Sequence, residues 1–262
     1  MSRVKPNHPE LVPRSLGISA PLGKDVYEVR LRVESRPSIL GKISNIFGSK
    51  NVDILGVHGQ ATDDKKYADL ILYVEVGGST VSVEKVVDEL RSQDFVVSIS
   101  SHPRNRVYFE AASFPLTSGG HYRVFAISAE AWSALVRAIL QEFGSGGRVI
   151  LREEGVALGR EVVNGIEKRF ASSDAPVLMD NLKALFRASG LGLLETTEAD
   201  GTRRFVVMIR EPAVFTDRDA RTIDDFLVGV VKGAIDRIYS GDYRVKDESC
   251  KDRTMTFELV SD

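Results

Sequence analysis

One cysteine, Cys250, and one tryptophan, Trp132, stand in a chain of 262 residues. A single thiol excludes an intrachain disulfide framework and any metal site built from several cysteines. It also fits a reducing compartment. The four histidines, His8, His58, His102 and His121, lack the short spacing of metal ligands, so no metal and no other cofactor is expected. No apolar run approaches the roughly 20 residues that span a bilayer. The start, Met1-Ser2-Arg3-Val4-Lys5-Pro6, lacks the apolar stretch of a secretory signal. A cytoplasmic location without a membrane partner is therefore expected. A charge excess is missing as well: residues 1–103 hold 13 basic and 13 acidic side chains, and the whole chain has a formal net charge of -2. Binding to nucleic acid draws on counterion release from a basic face, so no direct nucleic-acid partner is expected.

What is present is strong periodicity. Residues 1–24 are the exception, with Pro6, Pro9, Pro13 and Pro21 and no repeat of apolar positions, and they read as a flexible arm. Tyr27, Val29, Leu31 and Val33 then alternate with Glu28, Arg30, Arg32 and Glu34, the pattern of a half-buried strand. Pro37 opens a helix whose stripe is Ile39, Leu40, Ile43, Ile46 and Phe47. Strands follow over about 52–58 and 66–76, on either side of Thr62-Asp63-Asp64. A second helix starts at Ser79-Thr80 with Val83, Val86, Val87 and Leu90 inward, and Phe95, Val97 and Ile99 close the set. The order βαββαβ is the ferredoxin-like arrangement.

After His102-Pro103-Arg104-Asn105 the pattern changes. Ser128 caps a helix bearing Trp132, Leu135, Val136, Ile139, Leu140 and Phe143, and the glycines of 144–147 end it. Val149-Ile150-Leu151 is too short to assign. A glycine-punctuated helix covers about 153–169, and another runs from Pro176 to Ser189 with Gly190 as its stop. Strands near 191–197 and 203–210 flank the Asp200-Gly201 turn. The longest apolar helix carries Ile223, Phe226, Leu227, Val230, Val231, Ala234, Ile235, Ile238 and Tyr239, and strands near 242–248 and 254–260 finish the chain. The fold class is α+β: a ferredoxin-like N-terminal domain, then a second α+β domain with a long C-terminal helix and antiparallel strands. The expected divisions are 1–24, 25–103 and 104–262.

Chemistry concentrates at few places. The turn Glu34-Ser35-Arg36-Pro37-Ser38-Ile39-Leu40 joins a strand to a helix N-terminus, where unpaired amides and the macrodipole favour an anion. Arg36 offers a cation and Ser38 a hydroxyl there. Gly155/Gly159 and Gly229/Gly233 repeat at i, i+4 inside helices, where each glycine costs about 0.5–1 kcal/mol relative to alanine. Such spacing indicates close packing by another helix or a flat ligand. Asp217-Arg218-Asp219 and Asp224-Asp225 supply paired carboxylates at a helix start, where acids are favoured in any case. No nucleophile elbow or metalloprotease motif accompanies them, and no catalytic residue is assigned.

Arg36-Pro37-Ser38-Ile39-Leu40, with Lys42-Ile43 and Asn51-Val52-Asp53-Ile54, resembles the signature of the ACT domain over about residues 25–101. The resemblance implies a regulatory module that pairs side by side and binds an amino acid or similar small molecule at the pair interface. Its ligand contacts map onto Ser35, Arg36, Ser38, Ile39 and Asp53. Two positions depart from the family: Ser38 stands where glycine is usual, and Asp53 where asparagine is frequent. A carboxylate at Asp53 favours the ammonium of an amino acid and repels its carboxylate.

Phe114-Pro115-Leu116, Val149-Ile150-Leu151 through Gly155 and Gly159, and Phe226-Leu227-Val228-Gly229 through Gly233, Gly241 and Val245-Lys246-Asp247-Glu248-Ser249-Cys250 resemble the 4-vinyl reductase domain over about 107–260. That family is similar in fold to vesicle-tethering TRAPP subunits. The resemblance implies helix-mediated dimerisation and a hydrophobic ligand, with Cys250 as a second site. The leading expectation is a non-enzymatic small-molecule sensor acting as a homodimer or higher homo-oligomer. The alternatives are an enzyme or carrier for a hydrophobic or tetrapyrrole-like substrate, and an adaptor in a protein assembly.

Overall fold

The computed structural model describes residues 25–62, 64–77, 81–103, 117–118, 122–199, 201, 203–213 and 224–261. The expected arm at 1–24, the Ser79-Thr80 helix start, Arg104-Asn105, Phe114-Pro115-Leu116, Asp217-Arg218-Asp219 and Ile223 lie outside them. The chain divides into two compact units, Met1–Val124 and Phe125–Asp262. Among the described residues no helix is long and apolar enough to cross a membrane.

In the first unit the alternation of 26–34 produces β1 (Val26–Glu34), followed by α1 (Ile39–Ser49), β2 (Asp53–Ala61), β3 (Tyr67–Glu75), α2 (Val83–Arg91) and β4 (Val96–Pro103). The strands form one antiparallel sheet in the order β2-β3-β1-β4, the ferredoxin-like order. Val29, Leu31 and Val33 of β1 and Leu72 and Val74 of β3 meet Ile39, Ile43 and Phe47 of α1 and Val83, Val86, Val87 and Leu90 of α2 in a single core. At roughly 1.5–3 kcal/mol per fully buried large apolar side chain, this face decides which side of the sheet the helices cover.

Two local expectations fail for local reasons. Leu40, expected in the α1 stripe, is exposed, because the helix starts at Ile39 and its buried positions are Ile39, Ile43 and Phe47. Val97 is also exposed: a register shift between Arg32 and Val33 against β4 turns it away from the face that holds Phe95 and Ile99. The second helix begins at Val83 behind Ser82.

The second unit runs α3 (Ala129–Phe143), α4 (Ser145–Phe170), α5 (Ala175–Ser189), β7 (Leu193–Ala199), β8 (Arg204–Arg210), α6 (Asp225–Ile238), β9 (Tyr243–Lys251) and β10 (Thr254–Ser261). A two-residue ladder, β5 (Thr117–Ser118) with β6 (Tyr122–Arg123), precedes it. The sheet order is β7-β8-β10-β9, all antiparallel. Nearly every residue of α6 is buried, and with Phe205, Val207 and Ile209 of β8 and Met255, Phe257 and Leu259 of β10 it forms the second core. The glycines at 144–147 end α3 at Phe143 as expected, but the next helix starts at Ser145 and not near 153. Gly144, at φ 54, breaks the axis for one residue, and α4 resumes at once and absorbs Val149-Ile150-Leu151. Gly147 lies inside α4 because a methyl group there would strike the Ile139 carbonyl of α3.

Candidate functional site

The turn after β1 borders a shallow, open groove. Glu34 N–H donates to Phe95 O at 2.9 Å, Ser35 N–H to Lys66 O at 2.8 Å and Lys42 N–H to Ser38 O at 3.0 Å. These bonds tie the turn to the β2–β3 hairpin on one side and to the start of β4 on the other. Beside it lies a groove of about 290 Å³ lined by Val33, Glu34, Ser35, Arg36, Pro37, Ile39, Leu40, Ala68 and Leu70. Its floor is aliphatic and its rim carries the charge. The Arg36 guanidinium pairs with Glu34 at 2.8 Å and reaches Asp94 at 3.6 Å. Both pairs are solvated, so each contributes under about 1 kcal/mol and is open to exchange.

Ser38 occupies the N-cap of α1 at φ 71 and ψ -7, a left-handed conformation, and its side chain caps nothing. Only glycine adopts that region without cost, which is the physical reason glycine suits the position. No acid sits in the first turn of α1, so its N-terminal dipole is not balanced by a carboxylate on that turn.

Of the expected site residues, Ser35, Arg36 and Ile39 line the groove. Ser38 shapes the turn without appearing in the lining. Asp53 is not brought to it. It pairs with Glu75 at the start of β2, whereas the groove lies near Ala68, which pairs with Ala61 at the end of β2. Eight residues of extended strand separate the two ends by roughly 25 Å. Leu40 belongs to the turn that the sequence marks, whereas Ala68, Leu70 and Asp94 are not singled out by it. The helical period places Leu40 in the core; Ala68 and Leu70 enter through the register of β3 on β1 and Asp94 through the turn before β4, which no single segment encodes.

In the second unit the helix glycines do face one another. A methyl at Gly155 would overlap the Phe226 carbonyl, one at Gly159 the Val230 carbonyl, one at Gly229 the Arg152 carbonyl and one at Gly233 the Val156 carbonyl. The space is filled by backbone, so these positions form a helix crossing and leave no room for a flat ligand. The paired acids at 224–225 are structural too. Asp224 Oδ1 accepts from Phe226 N–H at 3.0 Å and Leu227 N–H at 3.2 Å. Asp225 is held by Arg148 at 2.7 Å and by Arg152, and Arg152 also reaches Glu248 of β9 at 2.7 Å. Cys250 is half-buried in β9 against the second core, and burial pushes its thiol pKa up, which lowers the thiolate fraction available for reaction. No group of three metal-ligating side chains occurs among the described residues.

No protein-family model matches the chain, and no curated protein aligns with it significantly. Solved structures similar to it include the ACT domain of a GTP pyrophosphokinase from Chlorobium tepidum, at 15% identity and a TM-score of 0.26, covering 30% of this chain and 99% of that domain. The phenol-responsive sensory domain of the transcription activator PoxR, solved with phenol, covers 54% of this chain and 78% of its own at 12% identity and a TM-score of 0.44. The C-terminal domain of the MgtC protein from Mycobacterium tuberculosis covers 33% of this chain and 94% of its own at 19% identity and a TM-score of 0.29. The comparisons give no support to the expected 4-vinyl reductase resemblance. The chain is an α+β protein whose first unit has the ferredoxin-like order, and ACT domains are among the structures it is similar to.

Proposed function

We propose that the protein is a regulatory small-molecule sensor whose first unit binds an amino acid, or a molecule of that chemistry, between two copies of the chain. The observation that carries this reading is the groove beside Ser35, Arg36 and Ile39, together with the placement of Asp53 at the opposite end of an edge strand. Among the described residues β2 is an edge strand of the sheet, and Leu55 and Val57 on it are exposed. Antiparallel pairing of β2 with β2 of a second copy about Val57 sets Asp53 opposite Ala61 of that copy. Each Asp53 then comes within about 10 Å, two strand spacings, of the other copy's Ala68.

The completed site matches a zwitterion with an apolar side chain. The aliphatic floor takes the side chain, Arg36 and the α1 amides take the carboxylate, and Asp53 of the second copy takes the ammonium. Glu34 and Asp94 hold Arg36 in the free protein, so the ligand carboxylate displaces them.

Thermal unfolding of the full-length protein with each of the twenty amino acids in turn tests the reading. At about 100 times its dissociation constant, a ligand should stabilise the native state by roughly 2.7 kcal/mol. A selective rise in unfolding temperature that disappears in Arg36→Ala supports the proposal. A flat response to all twenty amino acids contradicts it.

A further inference from the structure

The histidines are far apart in the sequence, yet pairing of β2 with β2 of a second copy sets one of them beside itself. Thr62 N–H donates to Tyr67 O at 2.8 Å, and the ladder runs on from there to Gln60 with Asp69 and His58 with Ile71. Positions 58 and 60 therefore turn their backbone groups toward β3, and positions 57, 59 and 61 turn theirs to the edge of the sheet. Val57 then meets Val57 of the second copy as a hydrogen-bonded pair. His58 and Gly56 of the second copy form the next pair, the non-hydrogen-bonded kind in which side chains stand closer. Alternation puts Leu55, Val57 and Gly59 on one face of β2 and Gly56, His58 and Gln60 on the other. In this register each large side chain of the pair faces a glycine: His58 faces Gly56, and Leu55 faces Gly59. The two His58 residues flank the two-fold axis on one face as diagonal neighbours, about 7–8 Å apart at the backbone and within reach of each other's rings.

We infer that the paired β2 strands hold a divalent transition-metal ion between the two His58 imidazoles, a single ion for each pair of chains. Imidazole suits Zn2+, Cu2+ and Ni2+, and its nitrogen sits about 2.0–2.1 Å from zinc. The missing side chains at the two Gly56 positions give both rings room to lean inward to that distance, and water completes the coordination. The charges on this face leave the ion tolerated. His58 lies across from Ile71, and Ile71 across from Arg30; Arg30 pairs with Glu28 at 2.6 Å, and Arg32 with Asp69 at 2.8 Å. Each cation thus carries its own carboxylate. The site rests on the β2 pairing proposed above and is incomplete in one chain. Because Asp53 reaches the groove only in the pair, an ion that favours pairing also favours the amino-acid site, and each ligand strengthens the other.

Sedimentation equilibrium of the full-length protein without an affinity tag tests this, first in EDTA and then with Cu2+ as the probe and no amino acid present. At about 100 times its dissociation constant, copper should tighten the pair about 100-fold. His58→Ala should pair in EDTA as its parent does and gain nothing from copper. Isothermal titration of both proteins should show about half a copper ion per chain more in the parent, since ions held by the other histidines are common to the two. A parent that pairs in EDTA but is not tightened by copper overturns the metal site and leaves the pairing standing. So does a His58-dependent uptake of one ion per chain, the mark of a lone imidazole. A protein that stays monomeric with and without copper overturns the pairing and the metal site together.

Discussion

At the N-cap of α6, one carboxylate oxygen of Asp224 accepts hydrogen bonds from two backbone amides, and the other is buried without a partner. Desolvation, only partly offset by the two amides and reinforced by the neighbouring Asp225 charge, lifts its pKa to about 6. The unfolded chain holds an aspartate near 3.9, so the folded state binds this proton more tightly than the unfolded one. The contribution of Asp224 to stability is therefore fully present below about pH 4 and is lost as pH rises through 6, a change of about 3 kcal/mol. Asp224→Asn keeps a capping oxygen and removes the charge. It should raise stability at pH 7 by about 2 kcal/mol and flatten the difference between pH 4 and pH 7, as read by urea unfolding at each pH. A variant less stable than its parent at pH 7, with the same pH slope, would contradict this account. The residue-scale features that the sequence conceals share one origin. Ser38 in a left-handed conformation, Leu40 on the surface and Val97 turned by a register shift each depend on backbone geometry. Periodicity reports which residues share a face only while the backbone stays regular.

At the scale of elements, α4 and α6 approach along four glycines whose missing side chains are replaced by carbonyl groups of the opposite helix. Backbone cannot yield as a flexible side chain can, so an added methyl must separate the helices or bend one of them. Gly159→Ala should destabilise the protein by about 3 kcal/mol, and Gly165→Ala in the same helix, with open space around it, should be neutral or slightly stabilising. Urea unfolding of the pair checks the contrast; equal effects would sink the crossing as the cause. The glycine spacing is legible in the sequence as a packing signal because a glycine inside a helix has a cost that needs a return. That the two pairs face each other is not legible, since about 70 residues or more of chain separate them. The element order of the first unit is legible for a similar reason: its strands alternate and its helices keep a 3.6-residue period over their whole length. Where glycines cluster, at 144–147, the end of α3 is legible in the sequence but the start of α4 is not, because breaker residues look alike whether they stop a helix or pack inside one.

For the molecule as a whole, the two units have separate apolar cores and each leaves an apolar surface open. In the first unit that surface is the β2 edge with Leu55 and Val57; in the second it includes Leu135 and Phe143 of α3. Half of the candidate site is legible in the sequence, as Ser35, Arg36 and Ile39 sit on one contiguous turn. Asp53 is reached from the sequence only through the ACT resemblance, and it joins the proposed site only through a second copy. The direct test is complementation between two binding-defective proteins. Arg36→Ala and Asp53→Ala should each abolish the thermal shift given by whichever amino acid stabilises the parent. Mixed in equal amounts and allowed to exchange subunits, they should recover about one quarter of the parent's binding sites, because half of the pairs are hybrids and each hybrid holds one unaltered site. Isothermal titration of the mixture measures that fraction. Recovery near one quarter is the result expected for a site shared between two copies; a mixture that binds no better than either variant alone would contradict it.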